Sequence, residues 1–489
     1  MVGFVHAVTV CQALPLITGS GGVMADNDPQ FLGLVELGEQ IRARRVSPVE
    51  VTSAALDRIS RLDGALKSFS TVTAEAALAA ARIAGEELAE GRWRGPLHGV
   101  PVAVKDLCWM KDTPTAHGMP LLRENRPSED GTVVARLRAA GAVILGKLQQ
   151  TEGALGLHHP DIDPPVNPWN PDLWTGVSSS GSGVATAAGL CYGAIGTDTG
   201  GSIRLPSSCN GVTGLKPTWG RVSRYGAFEL AATLDHIGPV ARSAVDCGAM
   251  LGAIAGADPK DPTAAPEPVP DYLAGLRNDL RGMTIGVDHR LVSQGVDEET
   301  GATFDEALRT LARLGAEIRE IDFPDPTPVI DDWTPLCGIE TAVAHENLYP
   351  AHKEAYGPGL AGFIELGLKL SAVDYQKIVL RREAFRGQLR ALFEDIDLIA
   401  MPTLSFAAPT LAKMASIVSD PSVLQGVVRF NCPFDMTGSP TITLPAGAAA
   451  NGGCIGFQLV GRHFDEARLV AAGHAFQSHT DWHRRHPTL

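Results

Sequence analysis

Residues 176–206 read GVSSSGSGVATAAGLCYGAIGTDTGGSIRLP. Five serines and eight glycines in 31 residues would suit a linker, yet apolar residues interrupt them at regular intervals. CYGAIG (191–196) is a short apolar strand that leads into Thr199-Gly200-Gly201-Ser202. Two glycines let the backbone turn sharply, so that consecutive N–H groups converge on one point just before a serine hydroxyl. That is how an oxyanion hole beside a nucleophile is built. Asp198 and Arg204 bracket the turn and are placed to clamp it with an ion pair. A plainer reading is a strand-to-helix turn in which Ser202 caps the helix. The local pattern leaves these two readings level.

Three familiar frames are absent. An α/β-hydrolase elbow needs G-x-S-x-G, and Ser178 has Gly176 before it but Ser180 after it. No Gly-Lys-Ser/Thr marks a P-loop here, and Gly181-Ser182-Gly183 runs into Val184, Ala185 and Thr186 instead of a dinucleotide loop. A nucleophilic serine also needs a base, and the stretch contains no histidine. Spacing leaves a distant histidine open. A lysine whose amine is held neutral by burial serves equally well. Lys105, ending the apolar run VPVAVK (100–105), is the best placed; Lys147 and Lys216 read more simply as structural or surface lysines.

Outward from this stretch, helices alternate with short apolar strands. Ser47, Pro48 and Glu50 form a helix start of the S-x-x-E type. TAEAALAAARIAGEELAEG (73–91) is an Ala-rich helix ended by glycine, and GTVVARLRAAGAVILGKL (131–148) is helix, glycine, strand. The alternation predicts a layered α/β fold. A proline-rich segment, 257–271, marks a long surface connection, and strand-like runs follow at 282–288, 397–404 and 439–447. These are too few for a second sheet, so one large domain is expected.

The formal charge of −14, from 41 Lys and Arg against 55 Asp and Glu, argues against a nucleic-acid or anionic-membrane partner. Eight cysteines are scattered without a C-x-x-C pair, which suits reduced thiols and gives no zinc-site spacing. Residues 1–24 are expected to be a poorly structured N-terminal extension. Residues 1–23 lack the positive charge of a secretory signal, and no apolar run reaches the length of a membrane span. The chain is expected in the cytoplasm.

Several blocks in sequence order resemble the amidase signature family. They are GPLHGVPVAVKD (95–106), NPWNPDLWTGVSSSGS (167–182), GTDTGGSIRLPSSCNGVTGLKPTWGRVS (196–223) and LDHIGPVARSAVD (234–246). DLIAMPTL (397–404), CPFDMTGSPTITLPAG (432–447) and GFQLVGRHFDEARLVAAG (456–473) continue the match. The resemblance implies a single α/β/α domain, here residues 25–489, around a twisted, mixed, mostly parallel sheet. It implies a Ser–cis-Ser–Lys triad that hydrolyses carboxamides with water and uses no metal or organic cofactor. Position by position, Ser202 is the nucleophile, Ser178 the bridging cis-serine and Lys105 the base. The N–H groups of Thr199, Gly200, Gly201 and Ser202 become the oxyanion donors.

The chain departs from the family's GGSSGG at Val177 and Ser180, which replace glycines around Ser178. Ser179, Ser180, Ser182 and Ser207 read as packing or hydrogen-bonding residues, and Cys209 as a small buried one. A Cys108–Lys105 nucleophile would leave the TGGS turn unexplained. Trp109, Met110, His158, Trp174 and the region Trp333 to Glu340 are candidates to line a pocket for a small aryl or apolar amide, anilide or carbamate. RVSRYGAFELAATLDHIGPVARS (221–243) resembles equally the glutaminase-type component of a tRNA-dependent amidotransferase, which is the alternative function. The oligomeric state is left open, with a homodimer among the outcomes.

Overall fold

Ser47 opens the first long helix, Pro48–Leu66, as its sequence predicts. Its hydroxyl accepts from the Glu50 N–H at 3.1 Å, and the Glu50 carboxylate accepts from the Ser47 N–H at 2.9 Å. The structure, a computed structural model, describes residues 29–489; the extension expected over residues 1–24 lies outside the described residues. The Ala-rich helix runs Ala74–Ala89 and is followed by Gly91 at φ 83°. Residues 131–148 become the helix Thr132–Ala139, Gly141 at φ 79° and a strand.

Eleven strands form one sheet among the described residues. They are β1 (Phe69–Val72), β2 (Pro101–Lys105), β3 (Val143–Leu148), β4 (Gly193–Asp198), β5 (Thr213–Lys216) and β6 (His236–Ala241). The later ones are β7 (Thr284–Val287), β8 (Glu317–Glu320), β9 (Leu398–Pro402), β10 (Thr441–Ala448) and β11 (Cys454–Gly461). Their spatial order is β1-β3-β2-β4-β6-β5-β10-β11-β9-β7-β8. The proline-rich segment 257–271 runs mostly exposed between the helix Ala244–Ile254 and β7, and the strands beyond it extend the same sheet.

The sheet is mixed, as expected, but the expectation that it is mostly parallel is corrected. Only β2–β3, β2–β4, β7–β8 and β7–β9 pair in parallel, and the six other pairings are antiparallel. Parallel neighbours need a long crossover, whereas antiparallel ones do not. The hairpin of β10 and β11 turns within 449–453, and β5, β6 and β9 pair around it in reversed sense.

Successive residues of the buried strands face opposite layers. Val102, Val104, Ile144 and Ile195 pack in one core with Met250 and Leu251 of the helix Ala244–Ile254 and with Leu469 and Val470 of the helix Glu466–Gln477. Ala103, Val143, Leu145 and Ala194 pack in another with the helices Pro48–Leu66, Ala74–Ala89 and Ser180–Ala187. Helices on both faces of one sheet make an α/β/α sandwich. Among the described residues, no helix is long and apolar enough to cross a membrane.

Candidate active site

The turn after β4 is held by Asp198, the last residue of that strand. Its carboxylate accepts from the N–H groups of Gly201 (2.6 Å), Ile203 (2.9 Å) and Arg204 (3.3 Å). The Arg204 side chain donates to it through Nε at 3.0 Å and Nη2 at 2.9 Å, and Nη2 also reaches Asp435 at 2.6 Å. The expected Asp198–Arg204 ion pair is therefore present, and all three side chains are fully buried. Burial alone would raise the Asp198 pKa, but the adjacent Arg204 guanidinium holds it well below the usual carboxylate range. Burial, with Asp198 close by, pushes Asp435 up.

This network rules out the helix-cap reading of Ser202. The helix Arg204–Asn210 receives its N-terminal carboxylate from Asp198, and no side chain acts at its N-cap, Ile203. Ser202 is not the cap; it is half-buried on the turn. Gly201 adopts φ 125°, which favours glycine. Its N–H, expected among the oxyanion donors, is instead committed to Asp198. Among the described residues, the N–H groups of Thr199, Gly200 and Ser202 enter no hydrogen bond.

Lys105 ends β2 and is fully buried. Its Nζ donates to Ser178 Oγ at 2.6 Å and to Thr197 Oγ1, on the neighbouring strand β4, at 2.7 Å. Burial lowers its pKa to about 7, against the opposing pull of Cys108, Asp235 and Asp198. The Val177–Ser178 peptide is cis. Ser179 pins this loop to β4: its hydroxyl accepts from the Thr197 N–H and donates to the Thr197 carbonyl, each at 3.1 Å. Its own N–H donates to the Ser202 carbonyl at 3.4 Å, joining the two serine segments.

Geometry, not burial, separates the lysines. Lys216 is also lowered to about 7 by burial, but its Nζ donates to the carbonyls of Ser439 and Pro217. Lys147 Nζ donates to the Asp106 and Cys108 carbonyls and to Thr115 Oγ1. Both are buried structural lysines. Burial raises the Cys108 thiol to about 11, far from a nucleophile's range. Cys209 is buried beside Trp174 and Leu205, with Val177 packed against the same cluster. Ser180, the other departure, heads the helix Ser180–Ala187, and its hydroxyl lies 3.1 Å from His158 Nε2. Met110 and Trp174 are core residues, and Trp109 stacks edge-on against Tyr225.

Sequence reasoning missed Thr197, Asp235 and the contact made by Trp333. Asp235 accepts from Thr199 Oγ1 at 2.6 Å and from the N–H groups of Leu230 and Ala231; burial raises its pKa to about 6. Trp333 Nε1 donates to the Thr199 carbonyl at 2.7 Å. A cavity of about 10 Å³, room for a single water, is lined by Thr197, Arg224, Glu229 and Asp235 together with Leu107 and Phe228. Among the described residues, no cluster of three or more His, Cys, Asp or Glu side chains is placed to hold a metal ion. The Thr197 and Asp235 contacts had no signal beyond their place in the quoted motif blocks.

The family model for Amidase matches residues 50–470. A Mycobacterium tuberculosis protein named "Putative amidase AmiD" is 49% identical over 458 residues, covering 94% of this chain and 96% of that one. A glutamyl-tRNA(Gln) amidotransferase component of Methylococcus capsulatus is 39% identical over 481 residues, covering 93% of this chain and 98% of that one. The X-ray structure of peptide amidase from Stenotrophomonas maltophilia superposes with a TM-score of 0.80 at 30% identity, over 93% of this chain and 98% of that one. The chain belongs to the amidase signature family and is a hydrolase of carbon–nitrogen amide bonds.

Proposed function

We propose that the chain is a free-standing amidase that cleaves a small aryl or apolar amide or anilide, with carbamates as related substrates, through an acyl-enzyme on Ser202. One observation carries the reading: the amine of a fully buried lysine, Lys105, lies 2.6 Å from Ser178 Oγ, on a loop tied to the Ser202 turn through Ser179. With its pKa lowered to about 7, Lys105 is largely neutral in mildly alkaline solution and accepts a proton from Ser178. Ser178 takes one from Ser202 as Ser202 Oγ attacks the carbonyl. The N–H groups of Thr199, Gly200 and Ser202 receive the oxyanion, while Gly201 keeps the turn in shape through Asp198. The relay in reverse protonates the departing amine, and water then cleaves the acyl-enzyme.

Residues 25–489 act as one domain in this reading, since strands β1 to β11 share one sheet. Mapping the adduct of a fluorophosphonate tests it: labelling at Ser202 supports the assignment. An adduct elsewhere, or an active enzyme that takes no label, overturns it. A panel of anilides, aliphatic amides and carbamates then ranks the substrates.

The similarity to an amidotransferase component favours a second reading, a glutaminase that feeds ammonia to a partner. Turnover of anilides by the purified chain alone, without preference for glutamine, decides for the first. Glutamine-specific activity that needs a partner decides for the second.

A further inference from the structure

We propose that Trp333 is a positioning residue that aims the Gly200 N–H at the oxyanion. The inference rests on Ser202 being the nucleophile, as argued above. Three contacts carry it. Trp333 Nε1 donates to the Thr199 carbonyl at 2.7 Å. The Thr199 hydroxyl is anchored separately, to Asp235 at 2.6 Å. The indole also packs against Gly200 so closely that a Cβ there would stand 2.5 Å from Trp333 Cζ2 and 2.7 Å from Cε2.

The Thr199 carbonyl and the Gly200 N–H belong to one peptide unit. Among the described residues only Val177–Ser178 is cis, so this unit is trans and its carbonyl and N–H point in opposite directions. Fixing the carbonyl on the indole therefore fixes the direction of the N–H, which makes no other hydrogen bond among the described residues. A hydrogen bond to the carbonyl also polarises the unit and makes its N–H a better donor. The next peptide is arranged the other way, with its N–H spent on Asp198 and its carbonyl 3.9 Å from Cys432 Sγ. The turn thus separates a peptide that holds its shape from one left to donate.

Trp333 is itself held firmly. It lies on the helix Thr327–Ala344, where the preceding residue, Asp332, takes two 2.6 Å hydrogen bonds from Arg381. Further along the helix, Glu340 accepts from the N–H and hydroxyl of Thr233, at 2.8 and 2.6 Å, in the segment just before Asp235. A donor carried on so restrained a helix sets the peptide direction before substrate arrives, which is the preorganisation that an oxyanion site requires.

Trp333→Phe keeps an aromatic wall and deletes the indole N–H. Its kcat is expected to fall about tenfold to a hundredfold, short of the ~10²–10³ that follows loss of a donor outright. KM for an anilide is expected to stay within about twofold, because the interaction is realised in the transition state. Affinity for phenylboronic acid, which mimics the tetrahedral adduct, should fall by the same factor as kcat/KM, with the pH inflection set by Lys105 unmoved. An unchanged kcat, a loss confined to KM, or a loss of kcat with full boronate affinity overturns the inference. If the variant fails to fold, benzothienylalanine at position 333 preserves the bicyclic shape without the N–H and is read in the same way. Full activity in Ser202→Ala would instead remove the underlying reading, whatever Trp333 does.

Discussion

Lys105 Nζ and Ser178 Oγ, 73 residues apart in the chain, lie 2.6 Å apart in the interior. The lysine comes from the end of β2 and the serine from the loop before the helix Ser180–Ala187, so only the folded sheet brings them together. Burial has lowered the lysine to about 7, so its protonation state changes near neutral pH.

The sign of the pH dependence follows. A base must be unprotonated, so kcat/KM should rise as pH increases through about 7 and level off above it. A pH–rate profile of the purified enzyme measures the inflection. Lys105→Ala should lower kcat by at least ~10²–10⁴ while the circular dichroism spectrum is retained.

Gly200 is packed against Trp333, and Gly200→Ala would place a methyl 2.5 Å from the indole. The turn or the tryptophan must shift, and a displacement of reacting groups by about an ångström costs on the order of 10² in rate. Steady-state kinetics should show that loss in kcat with the protein still folded by thermal melt.

Arg204 is the guanidinium paired with the buried carboxylate of Asp198, and it also donates to Asp435. Arg204→Met leaves the buried Asp198 without its guanidinium partner and should destabilise the protein by about 3–5 kcal/mol. Urea denaturation measures the effect as a lower midpoint. Activity should fall in the surviving folded fraction too, because Asp198 also fixes the Gly201 N–H.

Thr199→Val preserves the shape of the side chain and removes its hydrogen bond to Asp235. The buried carboxylate loses one of its three donors, and the expected cost is about 1–3 kcal/mol in stability. A calorimetric melt checks it. If Thr199 is anchored as described, kcat also falls while KM is little changed.

Much of the local structure was legible in the sequence because its causes are local. Ser47 and Glu50 announce a helix start by chemistry contained in four residues, and the glycines at 91 and 141 end helices through backbone freedom alone. Apolar runs such as 100–105 and 143–148 read directly as buried strands. The quoted stretch 176–206 also carried the Asp198–Arg204 clamp, since its partners lie only six residues apart.

By itself, then, the sequence determined the alternation of helix and strand, the glycine turn before Ser202 and the family blocks in their order. Pairing direction was not in it: β6 runs against β4 and β5, and β5 and β9 run against the strands of the β10–β11 hairpin. Spacing and the family blocks singled out Lys105 over Lys147 and Lys216, but why they differ is tertiary: all three end or sit in buried strands, and only the contacts of each Nζ differ. The commitment of the Gly201 N–H, the anchoring of Thr199 by Asp235 and the reach of Trp333 are tertiary as well. Propensity and periodicity act over a few residues. Hydrogen-bond partners dozens to hundreds of residues apart are chosen by packing, and packing exists only once the sheet has formed.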